Sequence, residues 1–519
     1  MTQISLARLP LAMEWTWLLL GTACAACAAA AGLGARRPRL PAGALRAAGL
    51  GLPPLIAAYK LSQFRSFDLM WDSGVSVNLA WNILHGYGIH SSVIGDASYL
   101  AVHFAFAIGW LSPLLLIWNS AGMLAMAQGA LVGSTVAAIF LIAREILADD
   151  AFAALLAVLA VSTPFFHDLT FCVLDSSVLA FPFFLWGLYA WLTGRRCAAA
   201  ALALMLTTTR EQVPFLIFGA GLYLWAAKHR RREAAALMAF SALLFAVELA
   251  LIHRAQAAWT DPANYWLNFA SLGGTRDAVL RTALTRPWMF PAALAWPPAK
   301  LLTPGAVLLS FAGLPLLAGA ALIPAAVVWL PNQLSDAGAF HDLHSHTCAY
   351  VFGPLVWASA VGLRRIMNRG PLARRRVAAA MLAVAAAGFL RTARFRHPPG
   401  MNPSYWPEAG PRALAFIPEN ASVWCDEFFL PHLATRRYVK TLLREENVYF
   451  APRLFAPDRV LMSAHWARLA KPAVSGPVLA FLRERKYEVI FAEKDLVVFA
   501  NPATLGREGR TPEPVQPAQ

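Results

Sequence analysis

The chain has 519 residues, of which 58% are hydrophobic and only 14% are charged, and its formal net charge is +15. Soluble domains carry roughly 25% charged residues, so this composition excludes a soluble globular protein and predicts many membrane crossings. The positive charge does not indicate a nucleic-acid partner, because the basic residues cluster in short loops between apolar runs, as cytoplasmic loops do. These clusters lie at positions 36–39, 195–196, 228–232, 364–365 and 374–376.

The six cysteines predict neither a metal site nor a disulfide framework. Cys24 and Cys27 form a CxxC pair, but they lie in an Ala-rich apolar run where small residues are expected for packing. Only Cys425 lies in a segment with the composition of a soluble domain.

The first apolar run, residues 11–33, is predicted to be an uncleaved first helix. Basic residues follow it in the cytoplasm, and the next run, 45–61, then crosses outward. The polar segment 64–100 is therefore predicted to be extracytoplasmic. Asp68 and Asp72 lie near its start. If this segment is helical, their spacing puts both carboxylates on one helix face.

Residues 101–150 leave the topology ambiguous. The part 101–143 resembles two helices, whereas a cytoplasmic Arg144 requires an odd number of crossings. Either the loop that contains Asp149 and Asp150 is external, or residues 101–118 are partly interfacial.

A hairpin of two apolar runs, 151–164 and 178–192, follows. Its tip carries His167, Asp168 and Asp175. Because basic residues come directly after the second run, the tip is predicted to face outward.

Two further runs, 197–206 and 213–227, are too short to span the ~30 Å of a bilayer core at 1.5 Å per residue. They flank Arg210 and Glu211. Irregular polar backbone at membrane depth is tolerated only where it lines a cavity. We therefore expect Arg210 and Glu211 in an outward-facing cavity, together with Asp68.

The rest of the membrane region and a C-terminal domain follow in order. Further single crossings are predicted at 233–252, 350–363 and 377–390, and a hairpin is predicted at 301–330, with external loops at 253–296 and 331–346. The expected domains are a transmembrane domain, 1–391, with its external loop 64–100, an extracytoplasmic α/β domain, 392–503, and a disordered tail, 504–519. Within the α/β domain, strands are predicted at 423–425, 489–491 and 496–499, and a helix at 478–485.

A histidine cluster in the external loop invites comparison with metal sites. His341, Asp342, His344 and His346 lie close together in sequence. Their HxxHxH spacing matches no standard zinc motif, so a solvated loop is the preferred interpretation. No cofactor is assigned, and participation of a divalent cation stays open.

Several motifs occur in the order and spacing of a known family. They are Phe67-Asp68-Leu69, residues 79–82, His85-Gly86, His103-Phe104, residues 111–114, Phe166-His167, Arg210-Glu211, residues 346–363, and a tail from Ile417-Pro418 to Val498. In these motifs, over roughly residues 60–500, the chain resembles a family of predicted bacterial and archaeal membrane proteins without an assigned function. That family is similar to the GT-C glycosyltransferases, which include protein mannosyltransferases and lipid A aminoarabinose transferases. The chain departs from the family at Arg210 and Gln212, where a lysine and an acid are more usual, and at Asp168 and Asp175.

The resemblance implies a mostly α, polytopic membrane protein of the inner or plasma membrane, with about 11–13 transmembrane helices and a small external α/β domain. It implies an inverting glycosyltransferase that moves a sugar from a polyprenyl-phosphate donor to an extracytoplasmic acceptor, which the motifs do not identify. Asp68 would be the general base, with Asp72 as the second catalytic candidate. The residues expected to bind the donor phosphate or the substrate are Arg210, Glu211, His103, His167, Arg254, Arg276, His346 and Tyr350.

Each candidate also has a structural interpretation. Asp68 and Asp72 could cap a helix, and Arg210 with Glu211 could be a structural ion pair within the membrane. A non-catalytic membrane protein of the same fold, or a transporter of a lipid-linked or polar substrate, is the alternative function. A transporter commonly shows internal repeats, and none is found in this sequence.

Overall fold

The computed structural model describes residues 42–94, 97–257, 265–341, 345–394, 406–442, 456–464 and 472–508. The protein is a mostly α-helical, polytopic membrane protein with a small C-terminal sheet, which confirms the predicted fold class. The predicted first helix at 11–33, the CxxC pair, Asp342 and His344 lie outside the described residues.

The helices are numbered here in chain order. The first half contains α1 (Ala42–Arg65), α2 (Trp71–Leu84), α3 (Ala121–Leu147), α4 (Asp150–Val161), α5 (Pro164–Phe171), α6 (Ala180–Leu192), α7 (Arg196–Thr207), α8 (Val213–Lys228) and α9 (Arg231–Ala257). The second half contains α10 (Arg276–Thr285), α11 (Met289–Ala295), α12 (Leu302–Ser310), α13 (Ile323–Leu334), α14 (Gly338–His341), α15 (Ala349–Met367), α16 (Pro371–Arg394), α17 (Trp406–Ala415), α18 (Leu430–Leu433), α19 (Pro472–Glu484) and α20 (Pro502–Glu508).

Four helical segments within the described residues are long and apolar enough to cross a membrane, and a fifth is formed if α4 and α5, which meet at a 63° bend, count as one span. The four are Ala121–Leu147, Arg231–Ala257, Leu314–Leu334 and His346–Met367. Shorter apolar helices are Ala107–Leu116, Ser176–Leu192, Arg196–Thr207 and Val213–Lys228. The predicted number of about 11–13 spans also counts such shorter helices, α1, α16 and the run at 11–33.

The ambiguous region 101–150 contains one long helix rather than two. Residues Ala107–Leu116 form a short 3₁₀ helix, and α3 then makes the single long crossing. Asp149 caps α4 through its Oδ1 and lies 4.0 Å from the Arg374 guanidinium. The α3–α4 turn therefore lies on the same side of the membrane as the basic cluster 374–376, as expected for a cytoplasmic turn.

The C-terminal sheet has five strands in the order β4-β3-β5-β7-β6. The strands are β3 (Val423–Asp426), β4 (Val439–Leu442), β5 (Arg459–Ser463), β6 (Glu488–Glu493) and β7 (Leu496–Ala500), and β1 (His90–Ser91) and β2 (Ala97–Ser98) form a separate hairpin. β4, β3 and β5 run parallel, and β7 and β6 extend the sheet antiparallel. Three of the five strands and the helix α19 match the predicted elements.

The end of the chain differs from its prediction at one point. Residues Pro502–Glu508 form helix α20, although a disordered tail was expected from residue 504. Asn501 caps this helix by accepting from the Ala503 N–H at 3.1 Å, and Thr504 accepts a hydrogen bond from Arg459. These contacts provide the physical reason for the additional turn. Residues 509–519 lie outside the described part.

The segment 64–100, predicted to be external, and the C-terminal sheet share one hydrophobic core. At their boundary the Asn78 amide donates to the carbonyls of Ala434 at 3.0 Å and Arg436 at 2.7 Å, and the Ser92 hydroxyl accepts from the Val439 N–H at 2.9 Å. Segments that share a dry core lie on the same side of a membrane. A second, larger core joins the membrane helices α3, α4, α6 and α15.

Candidate functional site

Asp68 and Asp72 stand on either side of the start of α2. The Asp68 backbone N–H donates to the Gln63 carbonyl at 2.9 Å and closes the end of α1, whereas Asp72 lies in the first turn of α2. Asp68 and Asp72 therefore do not share one helix, and the predicted common helix face is not formed. The reason lies at Phe67, whose φ of 59° ends helical conformation between the two elements.

Phe67 fixes the chain beside Asp68. Its side chain is buried, and its ring stacks on His432 with centroids 4.2 Å apart and contacts Phe429 at 4.8 Å. A Cβ atom at Gly410 would lie 2.4 Å from the Phe67 ring, so only glycine leaves room for it. A left-handed, non-glycine residue costs of order 1–3 kcal/mol, and this packing offsets that cost. The C-terminal domain therefore positions the segment that carries both aspartates.

A buried chain of three side chains joins the turn between α7 and α8 to the loop after β2. His103 Nδ1 lies 2.9 Å from Glu211 Oε1, and Arg210 donates to His103 Nε2 at 2.6 Å. Because arginine only donates, Nε2 accepts and the proton of the neutral ring lies on Nδ1, where it is donated to Glu211. The second Glu211 oxygen accepts from the Phe104 N–H at 3.1 Å. His103, Arg210 and Glu211 are called the relay below.

The charges of the relay favour these protonation states. Burial and then the Arg210 guanidinium lower the pKa of His103, which keeps the ring neutral. Burial alone would raise the pKa of Glu211, but His103 and Arg210 outweigh it and lower that pKa to about 2. The relay therefore carries one fixed cation and one fixed anion.

The other terminal nitrogen of Arg210 contacts the 3₁₀ helix Ser176–Leu179. It donates to the Ser177 hydroxyl at 3.1 Å, and the Ser177 N–H donates to Asp175 Oδ1 at 2.6 Å. Burial would raise the pKa of Asp175, but His346, Arg210 and the Ser177 hydrogen bonds outweigh it and lower that pKa. Asp175 is thus a second fixed anion beside Arg210.

Two further predicted site residues lie within the electrostatic field of Arg210. Tyr350, near the start of α15, is buried beside Ser177 and Thr209 and within the field of Arg210. His346 is half-buried in the preceding 3₁₀ helix, within the fields of Asp175 and Arg210.

Asp72 joins this cluster from the segment 64–100. Burial, together with the charges of Asp175 and Glu427, raises the pKa of Asp72 to about 7, and Arg210 opposes the rise. Glu427 follows β3 of the C-terminal sheet, so the sheet supplies one of the charges that act on Asp72. The charge of Asp68, in contrast, acts on Tyr59 in α1. The structure therefore brings Asp72 into the electrostatic field of Arg210.

Three predicted phosphate- or substrate-binding residues lie elsewhere. Arg254 is exposed near the end of α9, and Arg276 is exposed and paired with Asp277 at 3.1 Å. His167 lies on α5 with its ring 5.8 Å from that of Phe171. None of the three is part of the buried relay.

The described residues contain no group of three His, Cys, Asp or Glu side chains that could hold a metal ion. The histidine cluster is only partly described, because Asp342 and His344 lie outside these residues. Its one member with a described side chain, His346, lies beside Asp175 instead.

The sequence did not identify Ser177, Asp175 or Glu427 as site residues. Asp175 was noted as part of an outward tip and as a departure from the family, and an aspartate at such a position is commonly a helix N-cap. Glu427 follows a buried strand of the C-terminal sheet. Its charge acts on Asp72 only because the sheet packs against the segment that carries Asp72. Local patterns could not have paired these residues.

Comparisons with solved structures find similar chains at low sequence identity. ArnT from Cupriavidus metallidurans bound to undecaprenyl phosphate has a TM-score of 0.48 and 12% identity, with 88% of this chain and 99% of that chain covered. The same protein in the apo state has a TM-score of 0.42 and 13% identity, with 88% and 98% covered.

Comparisons with curated proteins and with family models give different results. No curated protein matches the chain. The family model described as "Predicted membrane protein (DUF2079)" matches residues 65–498, which include the whole relay and all of the sheet except the last two residues of β7. The family resemblance inferred from the sequence motifs is thereby confirmed, and the protein belongs to the DUF2079 family of predicted membrane proteins.

Proposed function

We propose that the protein is a membrane glycosyltransferase that moves a sugar from a polyprenyl-phosphate donor to an acceptor hydroxyl on the extracytoplasmic side. One observation carries the proposal. Asp72, a carboxylate with a pKa raised to about 7, shares an electrostatic field with the buried Arg210 guanidinium. A general base is most effective when its pKa lies near the operating pH, and a guanidinium is well suited to an anionic phosphate.

The roles follow from the chemistry of the transfer. The acceptor oxygen attacks the anomeric carbon, and its proton passes to the Asp72 carboxylate. The bond between the anomeric carbon and the phosphate oxygen breaks, and its electron pair leaves with the polyprenyl phosphate. Attack and departure occur on opposite faces of the sugar, so the configuration inverts.

Arg210 has donors left for this leaving group. Its contacts with Ser177 and His103 use one hydrogen on each terminal nitrogen. The second hydrogen of each nitrogen can be donated to phosphate oxygens. Because Glu211 and His103 hold the guanidinium in place, little reorganisation is needed as negative charge develops.

Asp72 is the preferred base, and Asp68 is the alternative. The charge of Arg210 acts on Asp72, as it also acts on Asp175 and Glu211. Asp68 lies four residues earlier, at the end of α1, and remains the base that the family motif favours. The transfer rates of the Asp72→Asn and Asp68→Asn variants distinguish between the two candidates.

The extracytoplasmic side is proposed from the positive-inside pattern. The segment 64–100 and the C-terminal sheet pack together, so both belong to one side. The exposed thiol of Cys197, directly after Arg195-Arg196, belongs to the opposite side in this proposal.

Release of polyprenyl phosphate by the purified wild-type protein tests the function. The protein is reconstituted in liposomes with membrane extract as the source of acceptor, and a panel of polyprenyl-phosphate sugars is supplied. We expect release and sugar transfer with at least one donor. The Arg230→Ala variant, altered at an exposed ion pair with Glu233, serves as the matched control and should retain full activity. No release with any donor would favour a non-enzymatic protein.

A further inference from the structure

Helix α9 buries only one narrow face. Its buried residues are Ala234, Ser241 and Glu248, spaced seven residues apart, which is two helical turns. The helix is 27 residues long and apolar, and most of its surface is exposed, as in a helix that faces lipid. The buried face must therefore make the contacts with the rest of the protein.

Two hydrogen bonds locate Glu248 along this face. The Ser241 hydroxyl donates to the Pro214 carbonyl at 2.6 Å, at the start of α8, and the Gln256 amide donates to the Ala101 carbonyl at 3.0 Å. Glu248 lies between these two contacts. The segments that it faces are thus the two that carry Glu211 and His103, and the charge of Glu211 acts on Glu248.

The Glu248 carboxyl group is buried without a partner. Its side chain is 0% exposed, and no donor in the described part of the chain reaches either oxygen. The nearby Glu211 is already satisfied by His103 and the Phe104 N–H. A buried carboxyl group without hydrogen bonds costs several kcal/mol, and packing alone would be served better by leucine. Such a group is expected where a ligand supplies the donors.

We propose that Glu248 is a substrate-contacting residue, whose carboxyl group accepts hydrogen bonds from sugar hydroxyls of the lipid-linked donor beside the relay. This inference rests on the proposed function. A phosphate group does not fit, because the negative charge of Glu211 already acts on this position and would repel a second anion. Sugar hydroxyls donate, and most of α9 is exposed as in a helix that faces lipid, so a lipid-linked molecule can enter from the bilayer past the side of α9 to reach its buried face. Glu248 would therefore bind the sugar hydroxyls while Arg210 binds the phosphate.

Carbodiimide labelling tests access to this carboxyl group without depending on activity. Dicyclohexylcarbodiimide partitions into membranes and modifies un-ionised carboxyl groups there, and mass spectrometry identifies the modified peptide. We expect modification at Glu248, strong protection by a polyprenyl-phosphate sugar that the wild type uses, and weak protection by polyprenyl phosphate alone. Absence of modification, or equal protection by both lipids, would overturn the proposal.

Kinetics of two variants complete the experiment. Glu248→Ala should raise the donor KM about tenfold, the scale of a lost buried hydrogen bond to a carboxyl group, and should leave the affinity for polyprenyl phosphate unchanged. Glu248→Gln keeps one acceptor oxygen, so its donor KM should lie between those of the wild type and Glu248→Ala. Glu233→Gln, at an exposed residue of the same helix, is the control. Turnover with unchanged KM in Glu248→Ala would defeat this inference alone, whereas absence of turnover in the wild type would defeat the proposed function.

Discussion

His103 and Glu211 lie 108 residues apart in the sequence and meet with 2.9 Å between Nδ1 and Oε1. This contact fixes the tautomer of His103, so that its Nε2 can accept from Arg210. The orientation of the buried guanidinium therefore depends on a carboxylate that is its immediate neighbour in the chain, acting through a histidine that is distant in the sequence.

Glu211→Gln should loosen this arrangement. The amide is neutral, so Arg210 loses its compensating charge, and breaking a buried ion pair costs about 3–5 kcal/mol. We expect a lower melting temperature in detergent and an activity at least tenfold lower. Glu233→Gln, at an exposed ion pair with Arg230, should change neither. An unaltered melting temperature in Glu211→Gln would show that the relay does not stabilise the protein.

The activity should depend on pH through Asp72. The base works as a carboxylate, so the rate should rise with pH around the raised pKa of about 7. Glu427→Gln removes a like charge and should move the midpoint of the pH–rate profile to lower pH. A profile that is flat between pH 5 and 8, or a midpoint unmoved by Glu427→Gln, would contradict the role of Asp72.

The raised pKa of Asp72 also makes the stability of the protein depend on pH. The pKa of Asp72 is about 7 in the folded protein and 3.8 ordinarily, so the folded state holds this proton more tightly. The contribution of Asp72 to the free energy of unfolding is therefore fully present at low pH and is lost as pH rises from about 4 to about 7.

Gly74→Ala should weaken the packing between the segment 64–100 and the C-terminal domain. A Cβ atom at Gly74 would lie 2.3 Å from Leu430 Cγ, and Leu430 is fully buried. Overpacking of this kind costs about 1–3 kcal/mol, so the melting temperature should fall. Gly51→Ala in α1 is the control, because no atom lies within 4 Å of its added Cβ. A fall in both variants, or in neither, would contradict the packing described for Gly74.

The topology can be tested by thiol labelling in intact cells. Glu484→Cys introduces an exposed thiol on α19, whereas Cys197 is exposed on the side assigned to the cytoplasm. A membrane-impermeant maleimide should modify residue 484 and spare Cys197 until the cells are broken. Protection of residue 484 in intact cells would place the C-terminal domain in the cytoplasm and remove the basis for an extracytoplasmic acceptor.

Much of the fold follows from the sequence. The short helices predicted at 197–206 and 213–227 are observed as α7 and α8, because apolar runs bounded by polar turns determine helix limits. The strands β4 and β5 escaped prediction. Each contains a basic residue, Lys440 and Arg459, that is buried in the structure, and such residues ordinarily indicate exposed positions.

The site could be predicted only in part. Arg210 and Glu211 stood out because charged residues at membrane depth require partners. Which partners they take depends on tertiary packing, as the contacts of Arg210 with Ser177 and His103 show. The same is true of Asp72, whose raised pKa depends on Asp175 and Glu427. The sequence motifs instead favoured Asp68 as the base and Asp72 as the second candidate.

The central claim is that Asp72 accepts the proton and Arg210 binds the phosphate. The most direct measurement compares single-turnover transfer rates and donor dissociation constants for wild type, Asp72→Asn, Asp68→Asn and Arg210→Ala. We predict that Asp72→Asn lowers the rate by ~10²–10⁴-fold with unchanged donor affinity, that Asp68→Asn has a smaller effect, and that Arg210→Ala weakens donor binding by about 1.5–3 kcal/mol. A wild-type rate in Asp72→Asn, or unchanged donor affinity in Arg210→Ala, would contradict the claim.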